Sequence, residues 1–183
     1  MVKPTRTPPQ ISACLIVRDE AKVLRRCLES IQGAYDELCI LDTGSLDDTP
    51  KIATEFGAKF KRFTACNNAN GRITNFALAR NECMRIAKGN WILSIDADEV
   101  LSKSSVERIR WHALHDPSAA VRVRLRFRGT EWLAIRLFRR APQHQFRNRV
   151  HEWVSIRGRV SEDASILITN RPNKKWLALS TPY

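Results

Sequence analysis

Two aspartates separated by one residue, Asp96 and Asp98, directly follow an apolar run at residues 91–95, and Glu99 extends the acidic group. Unpaired carboxylates rarely lie inside a protein, so these acids either cap the next helix or hold a cation. A pair of carboxylates suits Mg²⁺ or Mn²⁺, because these ions complete their coordination shells with phosphate oxygens and water. The motif alone does not decide between capping and cation binding, so its place in the fold has to.

The elements that position these acids follow from the spacing of the apolar residues. Short apolar runs alternate four times with segments of helical period, and glycines such as Gly33 and Gly57 end the helices. The predicted strands are residues 11–17, 37–42, 58–63 and 90–96. This alternation with short links is typical of right-handed β–α–β units and predicts an α/β fold with a mostly parallel sheet.

The polar residues at the strand ends favour a ligand site over helix capping. Ligands of such sheets bind beyond the carboxyl ends of the strands. Asp42 follows the second predicted strand, and Asp96 and Asp98 follow the fourth. We therefore expect these side chains to face one site at the same edge of the sheet.

The chain after Glu99 has a different pattern. Ser104 and Glu107 form a capping-box pattern that predicts the start of a helix. Alternating segments follow, which predict a β-rich part added to the α/β unit, and residues 171–183 carry no clear pattern. At 183 residues we expect one domain, with a ligand-binding half at 11–100, a second half at 101–160 and a C-terminal tail at 161–183.

Positive charge is concentrated in the second half of the chain. Residues 1–100 hold 14 Lys and Arg against 13 Asp and Glu, a net of +1, and residues 101–183 hold 17 against 6, a net of +11. Arg122, Arg124, Arg126 and Arg128 alternate with apolar residues and have no acid among them. Such charges can simply block edge pairing of a strand. Their number exceeds that need, and contact with a polyanion is the stronger interpretation.

Composition also indicates a compartment. No apolar run approaches the length of a membrane span, and residues 1–10 lack the apolar core of a signal peptide. The cysteines are five in number and form no CxxC pair, which favours reduced, structural thiols. We expect a cytoplasmic protein, with possible attachment to the inner face of the membrane.

Four segments of the sequence carry a family resemblance. They are "ISACLIVRDEAKVLRRCLESI", "ELCILDTGSLDDTPKIATEFGAKF", "FALARNECMRIAKGNWILSIDADEVL", and "RLFRR" with "FRNRVHEWV". In this order and spacing, over residues 11–155, they resemble the family 2 glycosyltransferases with the GT-A fold. The similarity is greatest to the bacterial branch that glycosylates lipopolysaccharide core and peptides. It implies a hexosyltransferase that uses a nucleotide-sugar and Mn²⁺ or Mg²⁺.

The resemblance also implies roles in binding the nucleotide-sugar. Asp42 would face the base, and Gly44 and Ser45 belong to the same pocket. The first-strand loop would lie over the nucleoside, and the Arg-Asn pair near the sugar nucleotide. The loop residues are Val17, Arg18 and Glu20, and the Arg-Asn pair is Arg80 and Asn81.

The resemblance also implies which residues bind the metal and which take part in catalysis. Asp96 would lie near the ribose and sugar and beside the metal, Asp98 would bind the metal, and His151 would be a further ligand. One in-line displacement with inversion needs a single general base, for which Glu152 is the first candidate and Glu99 the second.

Departures from the family pattern mean that the motifs do not determine which nucleotide-sugar is the donor. Arg18-Asp19-Glu20 replaces a commoner basic-Asn-Glu sequence, and Leu46 replaces a usual Thr. We expect a UDP-sugar as donor and an anionic acceptor, either lipopolysaccharide core, another glycan or lipid surface, or modified nucleic acid.

Two alternatives belong to other classes of protein. One is a nucleic-acid- or polyanion-binding module that keeps the fold without transfer activity, and the intact Asp-x-Asp motif argues against it. The other is a sugar nucleotidyltransferase, which would need a glycine-rich basic loop after the first strand. The sequence "LIVRDEAK" contains no glycine there.

Overall fold

The computed structural model describes residues 10–172. The helices are α1 (Ala21–Ser30), α2 (Thr49–Glu55), α3 (Phe76–Ile86) and α4 (Lys103–His115). The strands of the first half are β1 (Ile11–Val17), β2 (Glu37–Asp42), β3 (Lys59–Arg62) and β4 (Trp91–Ser94). The remaining strands are β5 (Glu99–Leu101), β6 (Ala120–Phe127), β7 (Thr130–Arg139), β8 (Gln145–Arg147), β9 (Trp153–Ser155) and β10 (Val160–Asn170).

An eight-stranded sheet organises the fold, in the order β3-β2-β1-β4-β7-β6-β10-β5. The first four strands in this order are parallel, and β7 then pairs antiparallel with both β4 and β6. β10 runs parallel to β6, so its carboxyl end lies at the same edge of the sheet as that of β4. Strands β8 and β9 form a separate hairpin. The predicted mixed α/β architecture with a β-rich C-terminal part is confirmed.

The predicted apolar stripe of α1 lies against the sheet. Leu24, Cys27, Leu28 and Ile31 are all fully buried. The link from α3 to β4 requires a glycine, because a Cβ at Gly89 would lie 2.6 Å from the Ser12 hydroxyl. The Gly89 amide instead donates to that oxygen at 2.9 Å. This bond fixes the link between α3 and β4 against the start of β1.

Two predicted helix starts are displaced. Helix α4 begins at Lys103 after Ser102, so the capping box predicted from Ser104 and Glu107 is wrong. The Ser102 hydroxyl contacts that of Ser105 at 2.6 Å instead. For α2, the pair Thr49-Pro50 in the sequence predicts the cap and the first helical residue, whereas the capping position is Asp48.

The segment expected as a C-terminal tail contributes to the sheet. Residues 161–170 belong to β10, which lies between β6 and β5. Apolar side chains of this strand, Ile166 and Ile168, are buried in the main core. Of the tail, only residues 171 and 172 follow within the described part, and residues 173–183 lie outside it.

The arginines of β6 have acidic partners on neighbouring strands. Arg122 pairs with Glu162 of β10 at 2.8 Å, and Arg124 and Arg126 pair with Glu131 of β7 at 3.4 and 2.6 Å. Arg128 lies in the β6–β7 turn at φ 50°, beyond the end of the strand. The expectation that all four arginines lie on one strand face is therefore wrong, and three of them have acidic partners on neighbouring strands. Sequence spacing within one strand cannot reveal acids on the strands beside it.

The cysteines agree with the expectation of structural thiols. All five cysteines are buried free thiols. Within residues 10–172, no helix has both the length and the apolar content needed to cross a bilayer.

Candidate active site

A cavity of about 480 Å³ opens at the carboxyl ends of β1 and β4. Its walls come from five parts of the chain: the end of β1, the end of β4, α3, the loop between β8 and β9, and the end of β10. The predicted residues Glu20, Arg80, Asp96, Asp98, His151 and Glu152 all line it. The fold thus brings together side chains that are up to 132 positions apart, from Glu20 to Glu152.

Arg80 is the central cation of this cavity. It projects from α3 and is only 8% exposed. Its Nη2 donates to Asp96 Oδ1 at 2.7 Å, and its Nε donates to Glu152 Oε1 at 2.7 Å. One guanidinium therefore joins the acidic motif after β4 to the loop between β8 and β9. This agrees with its position on the inward stripe of α3.

A second arginine, Arg136 of β7, reaches the acidic motif from the opposite side. Its Nη2 donates to Glu99 Oε1 at 2.6 Å and to Asp96 Oδ2 at 3.3 Å. Arg136 was not predicted as a site residue. The available signal was a charged residue between apolar neighbours, Ile135 and Leu137, in the predicted β-rich part of the chain.

These two arginines determine the charge state of Asp96. Burial alone would raise the pKa of this carboxyl, but the neighbouring Arg80 and Arg136 guanidinium groups hold it well below its usual range. Asp96 is therefore ionised at neutral pH, and both its oxygens already have cationic partners. Its proposed place near the sugar agrees with this arrangement better than a role as principal metal ligand.

Asp98 differs from Asp96 in lacking an arginine partner. Burial, followed by the charge of Asp96, raises the pKa of the Asp98 carboxyl. Its hydrogen-bond donor is the Asn170 amide at 3.1 Å. Asn170 was not predicted, although it ends β10 and the strand-end rule used for Asp42 would have located it. Burial and the charges of Asp98, Asp47 and Asp96 raise the pKa of Glu20 to about 7.

The carboxylates of this cavity suit a divalent cation whose coordination shell is completed by oxygens of a bound ligand. Glu20, Asp96 and Asp98 line one cavity, and the charge of Asp96 disfavours ionisation of the other two, a conflict that a bound cation would relieve. In the described part of the chain, no three His, Cys, Asp or Glu side chains form a preassembled metal site. Mg²⁺ and Mn²⁺ commonly bind one or two carboxylates and take their remaining ligands from phosphate and water.

Glu99 occupies a different environment from the other acids. Its Oε2 accepts from the Asp96 amide at 2.8 Å, and burial raises the pKa of this carboxyl to about 7 even though Arg136 opposes the shift. Glu99 lines an adjoining cavity of about 180 Å³ with Trp132, and it does not line the larger cavity. It begins β5, so it does not cap α4. Of the two candidate bases, Glu152 is the one that lines the cavity of Asp98.

The loop after β2 contains a buried carboxylate with one unsatisfied oxygen. Asp42 Oδ1 accepts from the amide and hydroxyl of Ser45, at 2.9 and 2.5 Å. Its Oδ2 has no hydrogen bond and lies 3.4 Å from Arg62 Nε. Gly44 permits the turn because it has φ +117°. A buried oxygen without a donor is costly, so it is a candidate for ligand binding.

The loop after β1 is tied to the same turn. The Asp19 amide donates to Ser45 Oγ at 2.9 Å, and Asp19 Oδ1 accepts from the Leu46 amide at 2.7 Å. Val17 is buried at the end of β1, where its carbonyl accepts from the Thr43 amide at 2.9 Å. These bonds hold Arg18 and Glu20 beside the Asp42 turn and outside the core.

Asn81 and His151 differ in their relation to the cavity. Asn81 uses both ends of its amide to bind the Phe146 backbone, at 3.0 and 2.8 Å, and it does not line the large cavity. It therefore fixes β8 against α3. His151 lines the cavity from an exposed loop position with φ 54° and is the most solvent-accessible of the three proposed metal ligands.

Comparison with known proteins gives the family. Residues 12–167 match the family described as Glycosyl transferase family 2. A TPR repeat-containing protein of Synechococcus elongatus is 37% identical over 179 residues, which are 94% of this chain and 40% of that protein. The chain thus spans less than half the length of this relative.

Solved structures show the same fold at low sequence identity. Mannosyltransferase PcManGT from Pyrobaculum calidifontis, in complex with GDP-Man and Mn²⁺, matches 95% of this chain and 60% of its own, with TM-score 0.68 and 16% identity. TarS from S. aureus, in complex with UDP, matches 66% of this chain and 37% of its own, with TM-score 0.55 and 16% identity. With the family match covering most of its length, the chain belongs to glycosyltransferase family 2 and has the GT-A fold.

Proposed function

We propose that this chain transfers a sugar from a UDP-sugar to an acceptor hydroxyl, with a divalent cation and with inversion at the anomeric carbon. The observation that carries the proposal is one cavity lined by Asp96, Asp98, Glu152 and the buried cation Arg80. A diphosphate-linked sugar is a ligand that needs both a cation for its phosphates and carboxylates for its hydroxyl groups.

The unsatisfied oxygen of Asp42 supports nucleotide binding. A carboxylate oxygen without a donor pairs well with a ring N–H of a base, and uracil and guanine both have one. TarS was solved with UDP and PcManGT with GDP-Man, so both nucleotides occur among proteins of this fold. We assign UDP as the expected nucleotide and test GDP beside it.

The cation would be held by Asp98, with Asp96 and His151 beside it. When bound, Mn²⁺ or Mg²⁺ supplies a Lewis acid that neutralises the negative charge of the leaving diphosphate. Arg80 adds a planar, permanently charged donor on the same wall, and Asp96 holds its guanidinium in place. Asn170 orients Asp98 through the hydrogen bond to Oδ2.

Glu152 is the proposed general base. The acceptor oxygen attacks the anomeric carbon as the bond to the diphosphate oxygen breaks, and the hydroxyl proton passes to the Glu152 carboxylate. The electron pair of the broken bond leaves with UDP. A single displacement inverts the anomeric carbon and requires no second carboxylate. Glu99 is the second candidate, but it faces the adjoining cavity and is bound to Arg136.

The acceptor is proposed to be anionic. The charge excess of the second half, 17 basic against 6 acidic residues, supports a phosphorylated glycan, a lipid surface or a modified nucleic acid as its carrier. Donor binding needs few of these positive charges, so the remainder is available for the acceptor side.

Donor turnover tests this proposal against a binding module that lacks activity. The chain is incubated with UDP-glucose, UDP-N-acetylglucosamine or GDP-mannose, with Mn²⁺ or with EDTA, and released nucleotide is measured. We expect metal-dependent release from a UDP-sugar and none from the Asp98→Asn variant. Binding of nucleotide without release from any donor would favour the module.

A further inference from the structure

The β8–β9 hairpin and the residues beside it carry a large share of the net positive charge of the second half. Residues 139–159 contain six arginines and one glutamate, a net of +5. Within residues 10–172, the guanidinium groups of four of them take part in no hydrogen bond or ion pair. These four, Arg147, Arg149, Arg157 and Arg159, are all exposed. The arginines of β6 differ, because their charges are matched by Glu131 and Glu162.

Apolar side chains lie among these exposed arginines. Phe146 and Val154 face each other across the hairpin and are buried, so they fix which face is turned inward. Arg147 and Trp153 form the next pair and point to the opposite face, where Trp153 is 54% exposed. Val150, in the loop of the same hairpin, is 55% exposed. The hairpin thus exposes an arginine and a tryptophan on its outer face and an aliphatic side chain in its loop.

The hairpin loop is also part of the wall of the active-site cavity. Val150, His151 and Glu152 line that cavity, and the Phe76 amide at the start of α3 donates to the Arg149 carbonyl at 2.8 Å. A surface that bound this face would therefore lie next to the cavity mouth. Glu152, the base proposed for the acceptor hydroxyl, belongs to the same loop.

We propose that this hairpin face docks the domain on an anionic phospholipid surface. Basic residues near a bilayer are attracted to anionic headgroups, and tryptophan favours the interface between headgroups and acyl chains. Val150 favours a lipid, because an aliphatic side chain inserts among lipids but offers no ring for bases to stack on. The Trp153 ring could also stack on a base, so displacement by an oligonucleotide is one outcome of the test. That docking presents an acceptor hydroxyl to Glu152 rests on the proposed function, whereas docking itself does not.

Vesicle binding tests the proposal on the 183-residue chain. Sedimentation with phosphatidylcholine vesicles, with and without added phosphatidylglycerol, should show binding only to the anionic vesicles and its loss at high salt. At about 1 kcal/mol for each basic residue, the pair Arg147→Gln and Arg149→Gln should weaken binding on the order of 30-fold. Trp153→Ala should weaken it severalfold at the same net charge.

The β6 arginines provide the matched control. Arg122→Gln with Arg124→Gln removes the same net charge from a paired surface and should leave vesicle affinity within about twofold of the parent, since paired exposed charges contribute little. UDP affinity, measured for all variants, should be unchanged, which separates this proposal from the proposed function. Equal weakening by both pairs, no binding to anionic vesicles, or displacement by a short oligonucleotide would each overturn the lipid proposal.

Discussion

Arg80 and Glu152 are 72 positions apart in the chain, and Nε of Arg80 donates to Oε1 of Glu152 at 2.7 Å. The same guanidinium donates to Asp96 Oδ1 at 2.7 Å. The loop between β8 and β9 is thereby fastened to the acidic motif after β4 through one buried side chain. The relative position of the proposed base and the proposed sugar site depends on this bond.

Replacing Arg80 with Gln should therefore affect both stability and activity. The substitution leaves two carboxylates without their shared cation, and breaking a buried ion pair in this way costs about 3–5 kcal/mol. Urea unfolding monitored by circular dichroism measures the loss. Arg80→Lys keeps the charge and should recover part of the stability, but not the two separate hydrogen bonds. A Gln variant as stable as the parent would mean that the pair has no structural role.

Asp98→Asn should abolish metal-dependent donor turnover while leaving the fold intact, because the amide keeps the shape of the carboxylate and loses its charge. Nucleotide release is compared with that of the parent over a range of Mn²⁺ concentrations. Asp48→Asn, at the start of α2, is a control for the same change at an exposed site. Activity near the parent level would remove Asp98 from the metal site.

Asp42→Ala should weaken UDP binding by roughly 1–3 kcal/mol, the cost of leaving a donor of the base without its acceptor. Isothermal titration calorimetry gives the affinity directly. Asp42→Asn keeps the shape of the side chain and removes its charge. Its single amide oxygen can accept either from Ser45 or from the base, and its nitrogen can accept from neither. Unchanged affinity in both variants would place the base elsewhere.

The parallel half of the fold was predictable because its local and global signals agree. Apolar residues at strand and helix spacing, closed by Gly33 and Gly57, gave four units that match β1 to β4 closely. The strand-end rule then located Asp96 and Asp98, which line the cavity, and Asp42, which ends β2 and does not line it. These predictions depend only on the period of the elements and on the handedness of their connections.

The second half was less predictable because its contacts cross between strands. Arg136 and Asn170 enter the site from β7 and β10, and nothing in their own neighbourhoods identifies the strand beside them. The pairing of the β6 arginines with Glu131 and Glu162 has the same cause. Pairing order, which sequence periodicity does not contain, determines all of these contacts.

The carboxyl of Glu37 makes the stability of the fold depend on pH, and it lies outside the active site. Burial alone would raise the pKa of its carboxyl, but hydrogen bonds from Lys59, the Lys88 amide and Ser12 lower it from 4.5 to about 2. The unfolded chain thus binds a proton more readily, so the stabilisation is present above about 4.5 and is lost as the pH falls toward about 2.

Glu37→Gln should accordingly destabilise the protein by roughly 1–3 kcal/mol at neutral pH and by less in acid. Thermal unfolding of parent and variant across this pH range measures the difference. A difference that stayed constant with pH would show that the charge of Glu37 does not contribute.

The proposed function requires the cavity lined by Asp96 and Asp98 to bind a nucleotide diphosphate together with a divalent cation. Calorimetric titration of UDP into the 183-residue chain, with Mn²⁺ and then with EDTA, tests it most directly. We expect saturable binding of one UDP with Mn²⁺, much weaker binding with EDTA, and loss of the Mn²⁺ effect in Asp98→Asn. Failure of both UDP and GDP to bind in the presence of Mn²⁺ would contradict the account.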